Sequence, residues 1–175
     1  MCGIVGFTGQ PNSSLLESMT RKIRHRGPDD DAFIVNPNFS VGFRRLAIID
    51  LSENIYPIEN ERKTIELVLN GEIYNYQTLR AQLEDLGCTF RGSSDTEVVL
   101  NALARWGPSA TERFNGMFAF AIWDRRDKSL LLARDRYGIK PLYYSTHGNI
   151  FSFSSESKGI LAQPGFRTEI NKSAL

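Results

Sequence analysis

The sequence has 175 residues, of which 41% are hydrophobic and 23% charged, and its formal net charge is +1. This length suits one well-buried domain, or one domain with a tail. The near-neutral charge argues against a nucleic-acid or membrane-binding surface, and the N-terminus lacks the basic and long apolar segments of a secretory signal. The longest apolar run, at residues 117–123, is too short to span a bilayer.

Cysteine and histidine are scarce. Cys2 and Cys88 are the two cysteines, and such sparse use suits a reducing, cytoplasmic location, although a disulfide between them stays open. Only His25 and His147 accompany them, and no pair has the spacing of a metal site. The sequence also lacks a glycine-rich phosphate loop, so it predicts neither a metal nor ATP for this domain.

In the first part of the chain, hydrophobic spacing predicts a buried strand at 3–8. It also predicts a helix that begins at a capping box at 14–17. Two strands follow at 32–35 and 41–49. A shift in the apolar phase of the second predicts a bulge, or burial on both faces. Residues 51–63 are polar and proline-broken, which indicates a loop.

In the rest of the chain, a strand at 65–69 is predicted to end in a turn at 70–72. Asn75 is then expected to cap a helix whose buried stripe includes Leu86, and Ser94 to cap a second helix. The remaining predicted elements are two hairpins and a short helix, at 117–134, 142–154 and 156–161. Runs of strands joined by short turns predict an α+β fold with mainly antiparallel sheets and helices packed outside them.

Cys2 directly follows the initiator methionine. Its side chain is small, as removal of Met1 generally requires, and removal would leave a thiol and a free α-amine on one residue. The reference pKa of an α-amine is about 7.7–8.0, so a useful fraction can act as a base near neutral pH. Cys2 is therefore a candidate nucleophile that carries its own base. The alternative is an ordinary buried cysteine at the start of a strand, which the short motif alone favours.

Three further positions supply groups that such a nucleophile would need. The Asn70 amide and the Gly71 N–H can form an oxyanion hole, although Asn-Gly is also a common turn. Arg45, inside an apolar strand, can clamp a substrate carboxylate, or pair with a carboxylate of the protein. Asp95, with Glu72 as second acceptor, can hold a substrate ammonium, or simply stabilise the start of its helix.

Seven motifs stand in a fixed order: Met1-Cys-Gly-Ile-Val-Gly6, His25-Arg-Gly-Pro-Asp-Asp30, Arg45-Leu-Ala-Ile-Ile-Asp50, Asn70-Gly-Glu-Ile-Tyr-Asn75, Ser94-Asp95, Gly116-Met-Phe-Ala-Phe-Ala121 and Arg134-Asp-Arg-Tyr-Gly-Ile-Lys-Pro-Leu-Tyr143. Together they resemble the N-terminal glutaminase domain of glutamine-hydrolysing asparagine synthetases. These domains are class II glutamine amidotransferases of the N-terminal nucleophile hydrolase superfamily. The resemblance covers nearly the whole chain.

The resemblance implies a four-layer αββα sandwich over residues 1–165, with 166–175 beginning a linker toward a synthetase domain that this sequence lacks. It implies that the Cys2 thiol attacks the side-chain amide of glutamine and forms a γ-glutamyl thioester. Water then hydrolyses the thioester, which yields glutamate and ammonia.

The resemblance also assigns the site residues. Asn70 and Gly71 would stabilise the tetrahedral intermediate, Arg45 would bind the α-carboxylate, and Glu72 with Asp95 the α-ammonium. The remaining residues of the implied site line the pocket or support the loop beside the nucleophile: Leu46, Ile48 and Ile49 for the former, and Arg26 and Gly27 for the latter.

The resemblance implies glutamine as substrate and an ammonia-accepting synthetase domain or subunit as partner, and it leaves homodimer formation open. No cofactor is expected in this domain, since ATP and magnesium belong to the synthetase domain. Two alternatives are a hydrolase for another amide and a non-catalytic docking module. Arg45 with Asp95 argues against the first, and the presence of Cys2 and Asn70 against the second.

The sequence departs from the family pattern at three places. Phe43 stands where the family usually has His, Ala32 where it has Gly, and Tyr56-Pro57-Ile58 where it has Gln-Pro-Met. These departures put the loop over the pocket in question. They remove none of the groups proposed to do the chemistry.

Overall fold

The computed structural model describes residues 2–46, 58–60 and 63–166. In chain order its strands are β1 (Gly3–Thr8), β2 (Asp30–Val35), β3 (Phe39–Arg45), β4 (Ile58–Glu59), β5 (Ile65–Ile73), β6 (Gly116–Asp124), β7 (Ser129–Arg134), β8 (Tyr143–His147) and β9 (Ile150–Ser154). Its helices are α1 (Ser13–Lys22), α2 (Tyr76–Asp85), α3 (Asp95–Trp106) and α4 (Ser157–Ile160), with 3₁₀ turns at Arg24–Arg26 and Gly107–Arg113. None of these helices is both long and apolar enough to cross a bilayer.

The described strands form two sheets. The first has the order β2-β3-β1-β9-β8 and the second β4-β5-β6-β7. Neighbouring strands in both pair antiparallel. The two sheets face each other across a buried cluster, here called the inter-sheet core: Ile4, Phe39, Val41, Phe43, Val68, Ala121, Trp123 and Phe153. Phe39 lies at its centre, with its ring stacked 5.0 Å from that of Trp123 and 6.3 Å from that of Phe153.

Helices cover the outer face of each sheet. Leu16 and Met19 of α1 pack with Val5 and Phe7 of β1, while α2 and α3 pack on the outer face of β5 and β6 through Leu83 and other apolar residues. These contacts build four layers in the order helix, sheet, sheet, helix. The α+β fold and the four-layer αββα sandwich expected from the sequence are therefore confirmed.

The predicted turn at Asn70-Gly71-Glu72 is wrong. Strand β5 continues to Ile73, and its pairing with β6 runs without a break to Gly116. The pairing is possible because the backbones approach closely where glycine stands: a Cβ on Gly71 would collide with the Met117 carbonyl oxygen, and one on Gly116 with that of Glu72. The candidate oxyanion-hole residues therefore lie within a rigid strand.

Other differences are local. Helix α1 is capped by Asn12, whose Oδ1 accepts from Leu15 N at 2.9 Å, so it begins one residue before the predicted capping box. Leu86 is 45% exposed, because α2 ends before it. The predicted loop contains β4, and the described part of β3 pairs regularly with both of its neighbours, without a bulge.

Candidate active site

Cys2 lies immediately before β1, half-buried against the inter-sheet core. Its thiol points toward the Leu46 carbonyl oxygen, with a sulfur–oxygen distance of 3.9 Å. Cys88 packs against the core on the other side of the second sheet, and both cysteines are free. The open alternative of a disulfide is therefore wrong, and the Cys2 thiol is available.

Strand β3 brings Arg45 next to Cys2. Gly3 pairs with Arg44 and Ile4 with Phe43, so the same register sets Cys2 opposite Arg45. Side chains alternate along a strand, and Phe43 faces the inter-sheet core. Arg45 therefore projects from the same face as Phe43. A cation thus lies beside the candidate nucleophile.

Arg26 and Gly27 support the backbone around Cys2, as the resemblance implies. Arg26 Nε donates to the Cys2 carbonyl oxygen at 3.0 Å. Gly27 packs directly on β3, where an added Cβ would lie 2.5 Å from the Arg44 carbonyl carbon. Only glycine fits this contact. The Arg26–Gly27 segment is therefore held between the nucleophile and the strand that carries Arg45.

Asn70 is the unusual polar residue of β5. Alternation along the strand gives it the same face as Val68, which belongs to the inter-sheet core that Cys2 borders. Asn70 is 1% exposed, and its side-chain Nδ2 has no hydrogen-bond partner in the described part of the protein. An unpaired buried donor costs about 1–3 kcal/mol. The fold therefore maintains a donor that lacks an acceptor.

Gly71 offers a second donor. It lies opposite Phe118, whose N–H and carbonyl both bond to Asp135, at 3.3 and 2.8 Å. These Phe118 groups point away from β5, so Gly71 and Phe118 form a pair without mutual hydrogen bonds, and the Gly71 N–H points away from β6. On that side, within the described residues, β4 pairs only with Glu66 and Leu67.

Two carboxylates meet at the end of β5. Asp95, the first residue of α3, accepts a hydrogen bond from Ile73 N at 2.9 Å. Burial raises the pKa of Asp95, the nearby charge of Glu72 adds to the rise, and hydrogen bonds from Ile73 and Thr96 oppose it. Two neighbouring anions, of which Asp95 is half-buried, form an environment that a bound cation would stabilise.

Only some of the remaining predicted pocket residues and family departures lie within the described residues. Leu46 is half-buried and contributes its carbonyl beside the thiol, whereas Ile48 and Ile49 lie outside the described residues. Two of the departures are cross-strand neighbours, since Ala32 pairs with Phe43, and both pack at the inter-sheet core. Of the third, Tyr56 and Pro57 lie outside the described residues, and Ile58 belongs to β4.

Sequence reasoning missed Glu156 and Asp135. Glu156 bonds Arg26 directly, at 3.0 Å. Asp135 accepts from four backbone N–H groups, including that of Phe118 opposite Gly71. Burial opposes the ionisation of Asp135, but these bonds outweigh it and lower its pKa. The available sequence signals were a carboxylate beside a strand end and an Arg-Asp pair inside a motif, and neither is specific.

Within the described ranges, no group of three or more His, Cys, Asp or Glu side chains could hold a metal ion. The groups brought together are instead a thiol, a cation, a pair of anions and two N–H donors. This set could bind an α-amino acid: the cation suits its carboxylate, the anions suit its ammonium, and the thiol and donors suit a reactive carbonyl in its side chain.

Comparisons with known proteins agree with this chemistry. A family model described as a glutamine amidotransferase domain matches residues 1–175. The chain is 42% identical over 182 residues to the glutamine-hydrolysing asparagine synthetase 1 of Bacillus subtilis, covering 100% of this chain and 29% of that protein. It is 39% identical over 179 residues to amidase chry2 of Gibberella zeae, covering 93% of this chain and 26% of that protein.

Among solved structures, the glutamine phosphoribosylpyrophosphate amidotransferase of B. subtilis has a TM-score of 0.74 at 20% sequence identity. The match covers 92% of this chain and 43% of that one, and at this identity it supports the fold alone. The chain spans less than a third of the length of the two curated relatives. A match over all 175 residues nevertheless establishes the family: the chain belongs to the glutamine amidotransferase domains.

Proposed function

We propose that this domain hydrolyses the side-chain amide of glutamine through a thioester on Cys2. The thiol adds to the amide carbon and its proton passes to the Cys2 α-amine, which requires prior removal of Met1. The tetrahedral intermediate collapses, the C–N bond breaks, and the nitrogen leaves as ammonia with that proton. Water then adds to the γ-glutamyl thioester, and the C–S bond breaks to give glutamate and the free thiol.

The observation that carries this proposal is the buried Asn70 side-chain nitrogen, which has no hydrogen-bond partner among the described residues. A buried donor without an acceptor is costly in the resting protein, and it becomes useful when negative charge develops nearby. The Gly71 N–H, directed away from β6, supplies the second donor. Both lie on the strand whose inner face borders the same core as Cys2. An oxyanion formed during attack by the thiol is the acceptor that suits these donors.

The charged groups account for selection of an α-amino acid. Arg45, beside Cys2, would bind the α-carboxylate, while Glu72 and Asp95 would bind the α-ammonium. The raised pKa of Asp95 is consistent with this role, because an ammonium would relieve the repulsion between the two carboxylates. Leu46, Ile48 and Ile49 are proposed to line the pocket.

The ammonia is proposed to pass to a synthetase domain or subunit, with asparagine as the product expected from the names of several relatives. A related protein of Gibberella zeae is named amidase chry2, so aspartate and other acids are both candidate acceptors. The domain itself is proposed to need no cofactor, with ATP and magnesium used by the synthetase, and to act in the cytoplasm. The alternative, a docking module without catalysis, has no observation in its favour.

Replacement of the nucleophile tests the proposal. We expect Cys2→Ala to abolish ammonia release from glutamine, because no other group in the proposed site can form the thioester. The measurement is ammonia produced by the purified chain, with the thermal unfolding midpoint as a check that the fold survives. Cys88→Ala, which changes the thiol on the opposite side of the second sheet, is the matched control. Undiminished ammonia release from Cys2→Ala would overturn the proposal.

A further inference from the structure

Glu156 forms a charged cluster with three basic side chains behind the nucleophile. Its Oε1 lies 2.8 Å from His25 Nε2 and 3.0 Å from Arg26 Nη1, and its Oε2 lies 3.0 Å from Lys158 Nζ. Burial opposes ionisation of Glu156, but hydrogen bonds from His25, Lys158 and Arg26 outweigh it and lower its pKa to about 2. The carboxylate is therefore negatively charged across the working range of a neutral-pH enzyme.

Arg26 connects this carboxylate to the nucleophile. One edge of its guanidinium donates from Nε to the Cys2 carbonyl oxygen at 3.0 Å, and Nη1 donates to Glu156 at 3.0 Å. The Arg26 side chain is only 8% exposed, whereas His25 and Lys158 are about half exposed. A buried guanidinium needs a nearby anion. Among the described ion pairs, Glu156 is the anion that Arg26 contacts.

The backbone fixes Glu156 relative to Cys2. Ser155 N donates to the Ile4 carbonyl at 2.8 Å, and Ile4 N donates to Ser155 Oγ at 3.0 Å. Glu156 N in turn donates to Ser154 Oγ at 3.2 Å. The residues immediately before Glu156 are thus hydrogen-bonded to the strand that begins next to Cys2. The backbone that carries the carboxylate is therefore held in place relative to the start of β1.

We propose that Glu156 is a positioning residue for the nucleophile: it holds Arg26 in the orientation that fixes the Cys2 carbonyl, and hence the α-amine and thiol of that residue. This inference rests on the proposed function of Cys2. Within the described part of the chain, Glu156 contacts none of the groups assigned to glutamine, so we expect it to act on the reacting geometry and not on glutamine binding. Loss of its charge leaves the Arg26 guanidinium buried without an anion. The side chain then has reason to turn away from Cys2.

The consequence is a defect in the rate of the chemical steps. A displacement of the reacting group by about 1 Å can cost on the order of a hundredfold in rate. We expect Glu156→Gln to lower kcat for ammonia release by about ten- to a hundredfold, while KM for glutamine changes by less than about twofold. The rate of Cys2 alkylation by a saturating diazo-ketone analogue of glutamine should fall in parallel, and its half-saturating concentration should not change.

Glu84→Gln is the matched control. It makes the same chemical change in another Glu–Arg pair, with Arg80 on the surface of α2, and should alter none of these quantities. Intact-mass analysis separates positioning from unfolding, since misfolded protein lowers the final alkylated fraction and a misplaced nucleophile lowers only the rate. If Glu156→Gln does not fold, Glu156→Asp, which keeps the charge but shortens its reach, is measured by the same criteria.

The two hypotheses fail in different ways. Wild-type protein that neither releases ammonia nor is alkylated at Cys2 would overturn the proposed function itself. Wild-type protein that is active, together with a Glu156→Gln variant of equal kcat, would overturn only the role of Glu156. A variant with unchanged kcat and a raised KM would also overturn it, because glutamine binding would then be the step affected.

Discussion

Glu66 and Asn70 are both 1% exposed polar residues on the same face of β5, four positions apart, yet their surroundings are opposite. Both Glu66 carboxylate oxygens accept from Asn36 Nδ2, at 3.0 and 2.9 Å, and Arg125 also contacts the carboxylate. The amide nitrogen of Asn70 has no such partner among the described residues. One strand therefore contains a fully paired buried polar group and an unpaired one.

The difference separates structure from function along a single strand. Buried polar groups that serve only the fold are expected to be paired, because each unpaired group subtracts from stability. The Glu66 end connects β5 to the β2–β3 turn and to the β6–β7 turn through Asn36 and Arg125. The Asn70 end carries a buried amide donor with no described acceptor, on the face of β5 that borders the same core as Cys2. We therefore expect substitution of Asn70 to lower activity more than stability, and substitution of Glu66 to lower stability more than activity.

The largest expected effect is the loss of activity in Asn70→Ala. Removing one oxyanion-hole donor typically costs a hundred- to a thousandfold in kcat. The unfolding free energy should fall by no more than about 1 kcal/mol, since the fold loses no hydrogen bond of the amide nitrogen and the cost of burying that unpaired donor is removed. Steady-state ammonia release and urea unfolding measure the two quantities. A large loss of stability with full activity would show that Asn70 belongs with Glu66.

Glu66→Gln should have the reverse effect. The change replaces an acceptor oxygen by an amide that faces the donors of Asn36 and Arg125, so we expect a loss of about 1.5–3 kcal/mol of unfolding free energy. Ammonia release per folded molecule should stay within about twofold of wild type. The same urea and ammonia measurements apply. The contrast along β5 would not hold if activity fell as far as in Asn70→Ala.

The smallest expected effect is electrostatic and concerns the end of β5. Because Glu72 contributes to the raised pKa of Asp95, Glu72→Gln should move that pKa down toward its ordinary value, as measured by carbon NMR titration of the Asp95 carboxyl.

The pH dependence of stability tests the same interaction between Glu72 and Asp95. Because the pKa of Asp95 is raised in the folded protein, the protein loses stability as the pH rises from the ordinary aspartate pKa through the folded-state pKa. The Glu72→Gln variant should lose less over this window. An unchanged Asp95 titration would show that the two carboxylates do not interact.

Much of the fold follows from local sequence signals. Apolar alternation and short polar turns predicted the hairpins of β6 with β7 and of β8 with β9, and Ser94 caps α3 as expected, accepting from Glu97 N at 3.3 Å. The end of β5 was missed because Asn-Gly is a strong turn signal locally. What overrides it is tertiary: Gly71 and Gly116 let two strands approach too closely for any side chain.

The sequence indicates which residues are candidates for the site, but not how they are arranged. Cys2, Asn70 and Arg45 stood out as a nucleophile, a donor and a cation in unusual places. The support from Glu156 to Arg26 depends on a contact across 130 positions of sequence, and that of Asp135 on bonds to backbone groups of distant residues. No local pattern encodes such contacts, so they emerge only when the strands are assembled.

The most direct test of the central claim is intact-mass analysis of the chain after treatment with a diazo-ketone analogue of glutamine. We expect a protein that has lost Met1 and carries a single adduct, which peptide mapping assigns to Cys2, and we expect excess glutamine to protect it. Cys88→Ala should be labelled to the same extent, and Cys2→Ala not at all. Labelling of Cys88 instead, or labelling that glutamine does not prevent, would contradict the assignment of Cys2 as the nucleophile of a glutamine site.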